Sequence, residues 1–392
     1  MPSQPSSPPR AADAAPAPVF GVNEIRLNGR LWLATLGVVL LVGWLTPAIW
    51  KQLEPFPTPP DYRIPYALSR DYWLYQRRLE QSQDSQSIFL VGDSVVWGEY
   101  VLPDGTLSHF LNHEARATNR FLNAGVNGMF PLALEGLVRH YAPSIASRKV
   151  LLPCNFLWMT SPKADLSTEK EESFNHSRLV PQFAPRIPCY RAEASERLGA
   201  IVERHAGFLQ WVGHLENVYF GQKSIPTWTL ADDGGDPPVY PNLTRCPIGQ
   251  ITRQLPSPFG PDPERGPASG RHKAWNKNGG RPVEFEWVTA EASLQWQAFQ
   301  RTVRTLRQRR SDVLVMVGPF NESMLATNNR AAYGQLRDAM IAWLRSEQVA
   351  HVAPESLPSE LYADASHPLT EGYALLAQRL WADADFQAWL KR

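Results

Sequence analysis

From Leu31 to Trp50 the chain carries no ionisable side chain: LWLATLGVVLLVGWLTPAIW, bracketed by Arg30 and Lys51. At ~1.5 Å rise per residue such a helix covers the ~30 Å hydrocarbon core of a bilayer. Trp32 near one end, and Trp44 and Trp50 near the other, suit the two headgroup layers. A cleaved signal peptide has a shorter apolar core and an A-x-A-like site after it, and this run has neither; a buried core helix is the other alternative. The expected organisation is therefore a tail over residues 1–30, a transmembrane helix over 31–50, a linker over 51–65 and a globular part over 66–392. The tail is rich in Pro, Ala and Ser to about Ala17 and is expected to be disordered. PFPTPPDYRIP in the linker reads as extended, proline-stiffened chain. Arg26 and Arg30 before the span are nearly balanced by Lys51 and Arg63 after it, so charge does not set the orientation. Export of the large C-terminal part, as in a signal anchor, is the default.

Beyond the linker, short apolar runs alternate with amphipathic stretches. SIFLVG, RFLNAG, KVLLPCN, DVLVMVG and VAHVA read as strands, SIFLVG and KVLLPCN as buried ones. Helices are expected at about Tyr66–Gln83, LSHFLNHEA, LALEGLVRHYA, SLQWQAFQRTVRTLRQRR, AAYGQLRDAMIAWLRSE and TEGYALLAQRLWADA. Strand–helix alternation predicts an α/β fold with a parallel sheet covered on both faces. From about residue 160 to 289 the rhythm breaks. Ser195–Leu215 can hold helices, but DDGGDPPVYPNLTRCPIGQITRQLPSPFGPDPERGPASGRH is dominated by Pro and Gly and excludes a long regular element. It reads as one insertion, more a cap than a second domain.

Lys plus Arg (39) against Asp plus Glu (38) leaves a formal charge of +1. Such a balance points away from nucleic acid and broadly anionic partners, so chemistry must come from local constellations. Three cysteines are too few for a disulfide scaffold and lack metal-ligand spacing. Cys189 and Cys246, both in the loop-rich middle, are the pair best suited to bridge in an oxidising compartment. Metal or organic cofactor motifs are not visible, and none is expected.

The most informative stretch is FLVGDSVVWGEY, where a buried strand runs into Gly92, Asp93 and Ser94. Ligands bind beyond the carboxyl ends of strands in open α/β sheets, which places Ser94 where a substrate would lie. A serine there also serves as an ordinary helix N-cap, so Ser94 needs company. It comes from YADASHPLTEGYALLAQRL, in which Asp364 and His367 share one loop. A serine nucleophile needs a base, and the base needs a carboxylate that fixes its tautomer. The other histidines, His214 and His176 among them, lie mostly on helical or loop segments without a comparable partner in the sequence.

GDS after the first strand and D-x-x-H-P near the C-terminus resemble the first and last blocks of the SGNH/GDSL hydrolase family. NAGVNG (123–128) is similar to the second block, which implies that the backbone N–H of Gly128 donates to an oxyanion. LLPCNFLW (151–158) stands in the place of the third block, which implies the same for the side chain of Asn155. There the sequence departs from the family: Pro153 and Cys154 precede Asn155 and Phe156 follows it, where glycines and an aspartate are usual. The backbone N–H of Ser94 would be the third donor. The resemblance covers about Ser87–Leu157 and Asp312–Trp381 and leaves the insertion outside.

It implies a three-layer, flavodoxin-like SGNH fold and a Ser94–His367–Asp364 triad that moves an acyl group to water or to another hydroxyl. Anchored members resemble exported modules that work beside a multi-span acyl donor protein in polysaccharide O-acetylation, so an acylated cell-envelope carbohydrate is the expected ester substrate. A lipid esterase and a catalytically silent anchored binding module are the alternatives. Asn321 and Glu322, after the fourth strand, line the cleft or cap a turn. Trp97, Trp158 and Trp228 stack on sugars or pack the core. Asp93 is expected to brace the nucleophile turn, and Cys154 to be a small buried residue.

Overall fold

The computed structural model describes residues 28–82, 86–231, 245–256 and 272–392. The expected disordered tail and most of the Pro/Gly-rich stretch fall outside these residues. The chain divides into two units between Thr46 and Pro47. The first holds most of helix α1 (Gly29–Leu53), which has a mean hydropathy of 1.9 and no buried residue. It is long and apolar enough to cross a membrane. The Thr46 hydroxyl donates to the Val42 carbonyl at 2.7 Å, so the helix satisfies its own polar side chain.

The second unit is built on five parallel strands: β1 (Ile88–Gly92), β2 (Phe121–Gly125), β3 (Lys149–Cys154), β4 (Asp312–Val317) and β5 (Ala350–Val352), in the order β2-β1-β3-β4-β5. Ile88 lies opposite Phe121 on one side and Lys149 on the other, Lys149 opposite Asp312, and Leu314 opposite Ala350. α2 (Tyr72–Gln81) precedes β1, α3 (Ser94–Trp97) and α4 (Leu107–Glu114) lie between β1 and β2, and α5 (Pro131–Tyr141) follows β2. The insertion contributes α6 (Ala194–His205), α7 (Gly207–Tyr219) and the short α8 (Ile225–Thr229) and α9 (Pro247–Gln250). The chain ends with α10 (Leu294–Gln308), α11 (Arg330–Ser346), α12 (Thr370–Ala382) and α13 (Ala384–Lys391).

Period-two side chains send each strand into two cores. Phe89, Val91, Val150, Leu152, Val313 and Val315 enter the one covered by α2, α5, α10 and α11. Ile88, Leu90, Leu151, Leu314 and Met316 enter the one covered by α4, α12 and α13. Both faces are dry, which is why the strands read as continuous apolar runs. Each side chain so buried contributes roughly 1.5–3 kcal/mol. Trp296, Phe299, Val303 and Leu306 form the inward stripe of α10, whose start Ser293 caps by accepting the Trp296 N–H.

Two helices begin where a carboxylate caps them, not where the periodicity alone would start them. Asp71 accepts the Leu74 N–H, so the helix expected from Tyr66 is a 3-10 turn over Tyr66–Leu68 followed by α2. Asp383 likewise accepts the Phe386 N–H and separates α13 from α12. The segment from Pro55 to Pro65 is not extended throughout: it turns at Pro60–Asp61, where Asp61 takes φ +57° and the Tyr62 N–H donates to the Pro59 carbonyl, and Phe56, Tyr62 and Ile64 are buried in the larger core. Cys189 and Cys246, the pair best suited to bridge, are not joined: all three cysteines are free, with Cys189 buried and Cys246 exposed. The strand order reverses direction between β1 and β3, the switch point at which open α/β sheets bind ligands in a crevice beyond the carboxyl ends of the strands.

Candidate active site

β1 delivers the chain to that crevice. The Asp93 carboxylate accepts the Val95 N–H at 3.0 Å and starts the single turn α3, with Ser94 half-buried at its head. Gly98 ends it at φ +89°, donating its N–H to the Ser94 carbonyl at 2.9 Å. Side chains other than glycine rarely adopt that conformation. Arg63, from the Pro55–Pro65 segment, donates to the carbonyls of Trp97, Gly98 and Val101 at 3.0, 2.6 and 2.9 Å. Its guanidinium lies 3.9 Å above the Trp97 ring, whose indole N–H bonds the Ile64 carbonyl at 2.7 Å. The loop behind Ser94 is thus clamped by Arg63, which lies outside the segments that carry Ser94, Asn155 and His367.

His367 arrives on the loop between β5 and α12. Its Nε2 is 2.7 Å from Ser94 Oγ, across 273 positions of sequence. Its Nδ1 is 2.8 and 2.7 Å from the two Asp364 oxygens. A nitrogen facing a carboxylate carries the proton, which leaves the Nε2 lone pair for the serine hydroxyl. Asp364 Oδ1 also accepts the backbone N–H groups of Ser366 and His367 at 2.9 and 3.0 Å. Burial works to raise the Asp364 pKa, but the His367 imidazole and these N–H groups together hold the carboxyl below its ordinary value. Tyr100 meets the His367 ring edge-on at 5.5 Å and bonds Asp364; burial and that neighbour push its hydroxyl up to about 12. Tyr100 takes φ +69°, a conformation uncommon for any residue but glycine.

Gly128, in the loop after β2, takes φ +69°, and a Cβ there would run into the Asn175 side chain. Asn155, after β3, is 1% exposed. Its Nδ2 donates to Asp93 Oδ2 at 2.8 Å and its Oδ1 accepts the Leu157 N–H at 3.0 Å. An amide nitrogen carries two hydrogens, so the bond to Asp93 fixes the group and uses one of them. Asp93 Oδ2 also accepts the Trp158 indole N–H at 3.2 Å. Burial raises the Asp93 pKa, and those donors oppose it. Direct hydrogen bonds therefore join Ser94, His367 and Asp364. Asn155 is tied to the nucleophile turn through Asp93, and Gly128 adjoins through its neighbour Asn127.

That last link passes through a side chain the motifs did not point to. Asn127 Nδ2 donates to Glu99 Oε2 at 3.3 Å, and the same oxygen lies 3.5 Å from His367 Nε2. Glu99 is 7% exposed. The only hint in the sequence was its place in the loop behind the nucleophile, five residues after Ser94. Asn321 is fully buried and donates its backbone N–H to the Ala365 carbonyl at 2.8 Å, propping the Asp364 loop. Glu322 bonds Tyr333. Trp97 and Trp158 are buried, and Trp228 packs on Phe220 and Arg245. Cys154 is fully buried and its thiol is pushed up by burial, which keeps it an unreactive thiol.

Two of the histidines expected to lack a partner have carboxylates. His109 meets Asp61 at 2.8 Å. His214 lies between Asp71, 2.7 Å from Nδ1, and Glu54, 3.1 Å from Nε2. Their separations of 143 and 160 positions hid the pairing from any local pattern. Among the described residues no cluster of three or more His, Cys, Asp and Glu is placed to hold a metal ion. No family model matches the chain, and no curated protein matches it.

Proposed function

We propose that this chain is a membrane-anchored serine esterase or O-acyltransferase of the SGNH/GDSL type, acting on an acylated cell-envelope carbohydrate. The observation that carries the reading is the continuous line of hydrogen bonds from Ser94 Oγ through His367 to Asp364. The strand order β2-β1-β3-β4-β5 supports a flavodoxin-like core of the SGNH kind. The apolar α1 supports an anchor, with the hydrolase-like part on the exported side and within reach of a multi-span acyl donor.

In this mechanism His367 Nε2 takes the Ser94 proton as Oγ attacks the ester carbonyl carbon. The N–H groups of Ser94 and Gly128 and the second Nδ2 hydrogen of Asn155 receive the oxyanion. Collapse expels the alcohol, which takes the proton from His367, and leaves Ser94 acylated. An acceptor O–H then gives its proton to Nε2, attacks the acyl carbon and releases Oγ. Water yields an esterase, a sugar hydroxyl a transferase.

A fluorophosphonate probe tests the reading. The folded wild type is expected to label at Ser94, and Ser94→Ala to abolish labelling. A wild type that fails to label, or a variant that still does, overturns it.

A further inference from the structure

We infer that the corner joining α6 to α7 dips into the lipid surface beside the last turn of the apolar run, Pro47–Trp50. Resting on the reading of Leu31–Trp50 as a membrane span, this adds a second lipid contact, made by the insertion. Two contacts fix the register of α7 against the end of α1. His214 Nε2 lies 3.1 Å from Glu54. Three residues earlier in α7 and four earlier in α1, the Trp211 ring meets the Trp50 ring edge-on at 5.7 Å. The two segments therefore run side by side in the same direction. At the common rise per residue, three more residues back bring Phe208 level with Pro47, inside the uncharged run. Phe208 packs on Trp211, ring centroids 5.4 Å apart, and so extends the same line of rings.

Polarity changes at the same level on both helices. Past Trp50, Lys51 bonds Glu80 at 2.6 Å, and Glu54 is buried with Arg77 and His214. Before Trp211, the apolar side chains of Val202, Phe208 and Leu209 flank the corner and are 53%, 39% and 39% exposed. Exposed His205 beside them gives the corner a polar edge, as an element lying among headgroups has. Behind them Trp50 and Trp211 pack on Leu215, Tyr219 and Phe220, so the protein itself holds the ring pair at the headgroup layer. An apolar face of this kind buries about 5–10 Å into the boundary between headgroups and acyl chains. Lipid is the occupant because the patch continues a surface that the apolar run already commits to the bilayer.

The test uses the full-length chain in vesicles of phosphatidylethanolamine and phosphatidylglycerol, with Cys246→Ser removing the exposed thiol. Spin labels are attached through Phe208→Cys, through Leu40→Cys in the apolar run, and through Asp385→Cys. Asp385 is exposed on α13, which packs on the face of the sheet opposite α2. Relaxation by oxygen, which concentrates in lipid, is compared with relaxation by a water-soluble nickel chelate. The oxygen-to-nickel ratio at position 208 is expected to be at least about threefold above that at 385, and below that at 40. Leu209→Cys repeats the measurement at a side chain that leaves the Phe208–Trp211 contact intact. Ratios at 208 and 209 equal to that at 385, with position 40 in lipid, would overturn the inference alone. Labels closed to both reagents would assign a protein partner to the corner and overturn lipid as its occupant. Exposure of position 40 to the chelate removes the membrane span and this inference together.

Discussion

His367 and His214 are each flanked by carboxylates and nearly buried, 4% and 1% exposed, yet what faces their second nitrogens differs. Both nitrogens of His214 face acceptors, Asp71 on one side and Glu54 on the other. Both must donate, so the ring is an imidazolium; burial opposes the charge, but the two carboxylates raise its pKa to about 9. Arg77 at 2.6 Å and the Tyr219 hydroxyl complete the shell of Glu54. Two anions and two cations cancel, and every polar atom is committed to structure. At His367 Asp364 bonds Nδ1 at 2.7 Å, while Nε2 meets the Ser94 hydroxyl at 2.7 Å and the Glu99 carboxylate only at 3.5 Å. A histidine whose two nitrogens are both hydrogen-bonded to acids is a strut; one whose second nitrogen is hydrogen-bonded to a serine can move a proton.

Exchanging parts of the two sites tests this contrast. Ser94→Ala has the largest expected effect, lowering ester turnover by on the order of 10⁴- to 10⁶-fold in a steady-state assay while the melting temperature stays put. Asp364→Asn follows at about 10⁴-fold, since an amide permits the wrong tautomer of His367. His214→Ala reverses the pattern. It leaves buried Asp71 without its cation and Glu54 with Arg77 and Tyr219 alone, and is expected to cost about 3–5 kcal/mol in urea unfolding, with turnover per folded molecule retained. Full stability in that variant would show that the cluster is not a strut. Asn155→Ala is expected to lower kcat by about 10²- to 10³-fold through loss of an oxyanion donor.

The smallest effect is a pH dependence. The proton on His214 binds the folded state more tightly than the unfolded one, whose ordinary value is 6.5. Its contribution is therefore complete below about 6.5 and is lost as pH rises through about 9. A fall of about 3 kcal/mol across that window is expected in wild type. Unfolding curves of His214→Ala should lack it, and an unchanged slope would assign the titration to another group.

How much of this could be read beforehand follows from the range of each interaction. The strands were legible because two-sided burial writes itself into consecutive residues such as Ile88–Gly92 and Asp312–Val317. The pairing of Asp364 with His367 was legible because both sit on one loop, and the place of Ser94 because it follows closely on a strand. Asn155 was a motif position whose unusual neighbours, Pro153, Cys154 and Phe156, turn out to be buried, with the amide fixed by Asp93. Glu99 was passed over: no periodicity marks a side chain whose partners, Asn127 and His367, come from other loops. α2 begins later than expected and α13 was not expected at all, because single carboxylates, Asp71 and Asp383, decide where those helices begin.

The sequence by itself determined the apolar helix of Leu31–Trp50, the alternation of strand and helix, and the residue types that one loop or strand end can present. These depend on hydrophobic period and on neighbours a few residues away. Tertiary structure decided that Ser94 and His367 meet at 2.7 Å, that Arg63 clamps the loop behind the nucleophile, and that His214 is locked between Asp71 and Glu54. Charges and hydrogen bonds act over a few ångströms in space, whatever the separation in the chain. Only the packed sheet and its helices set which of them come that close.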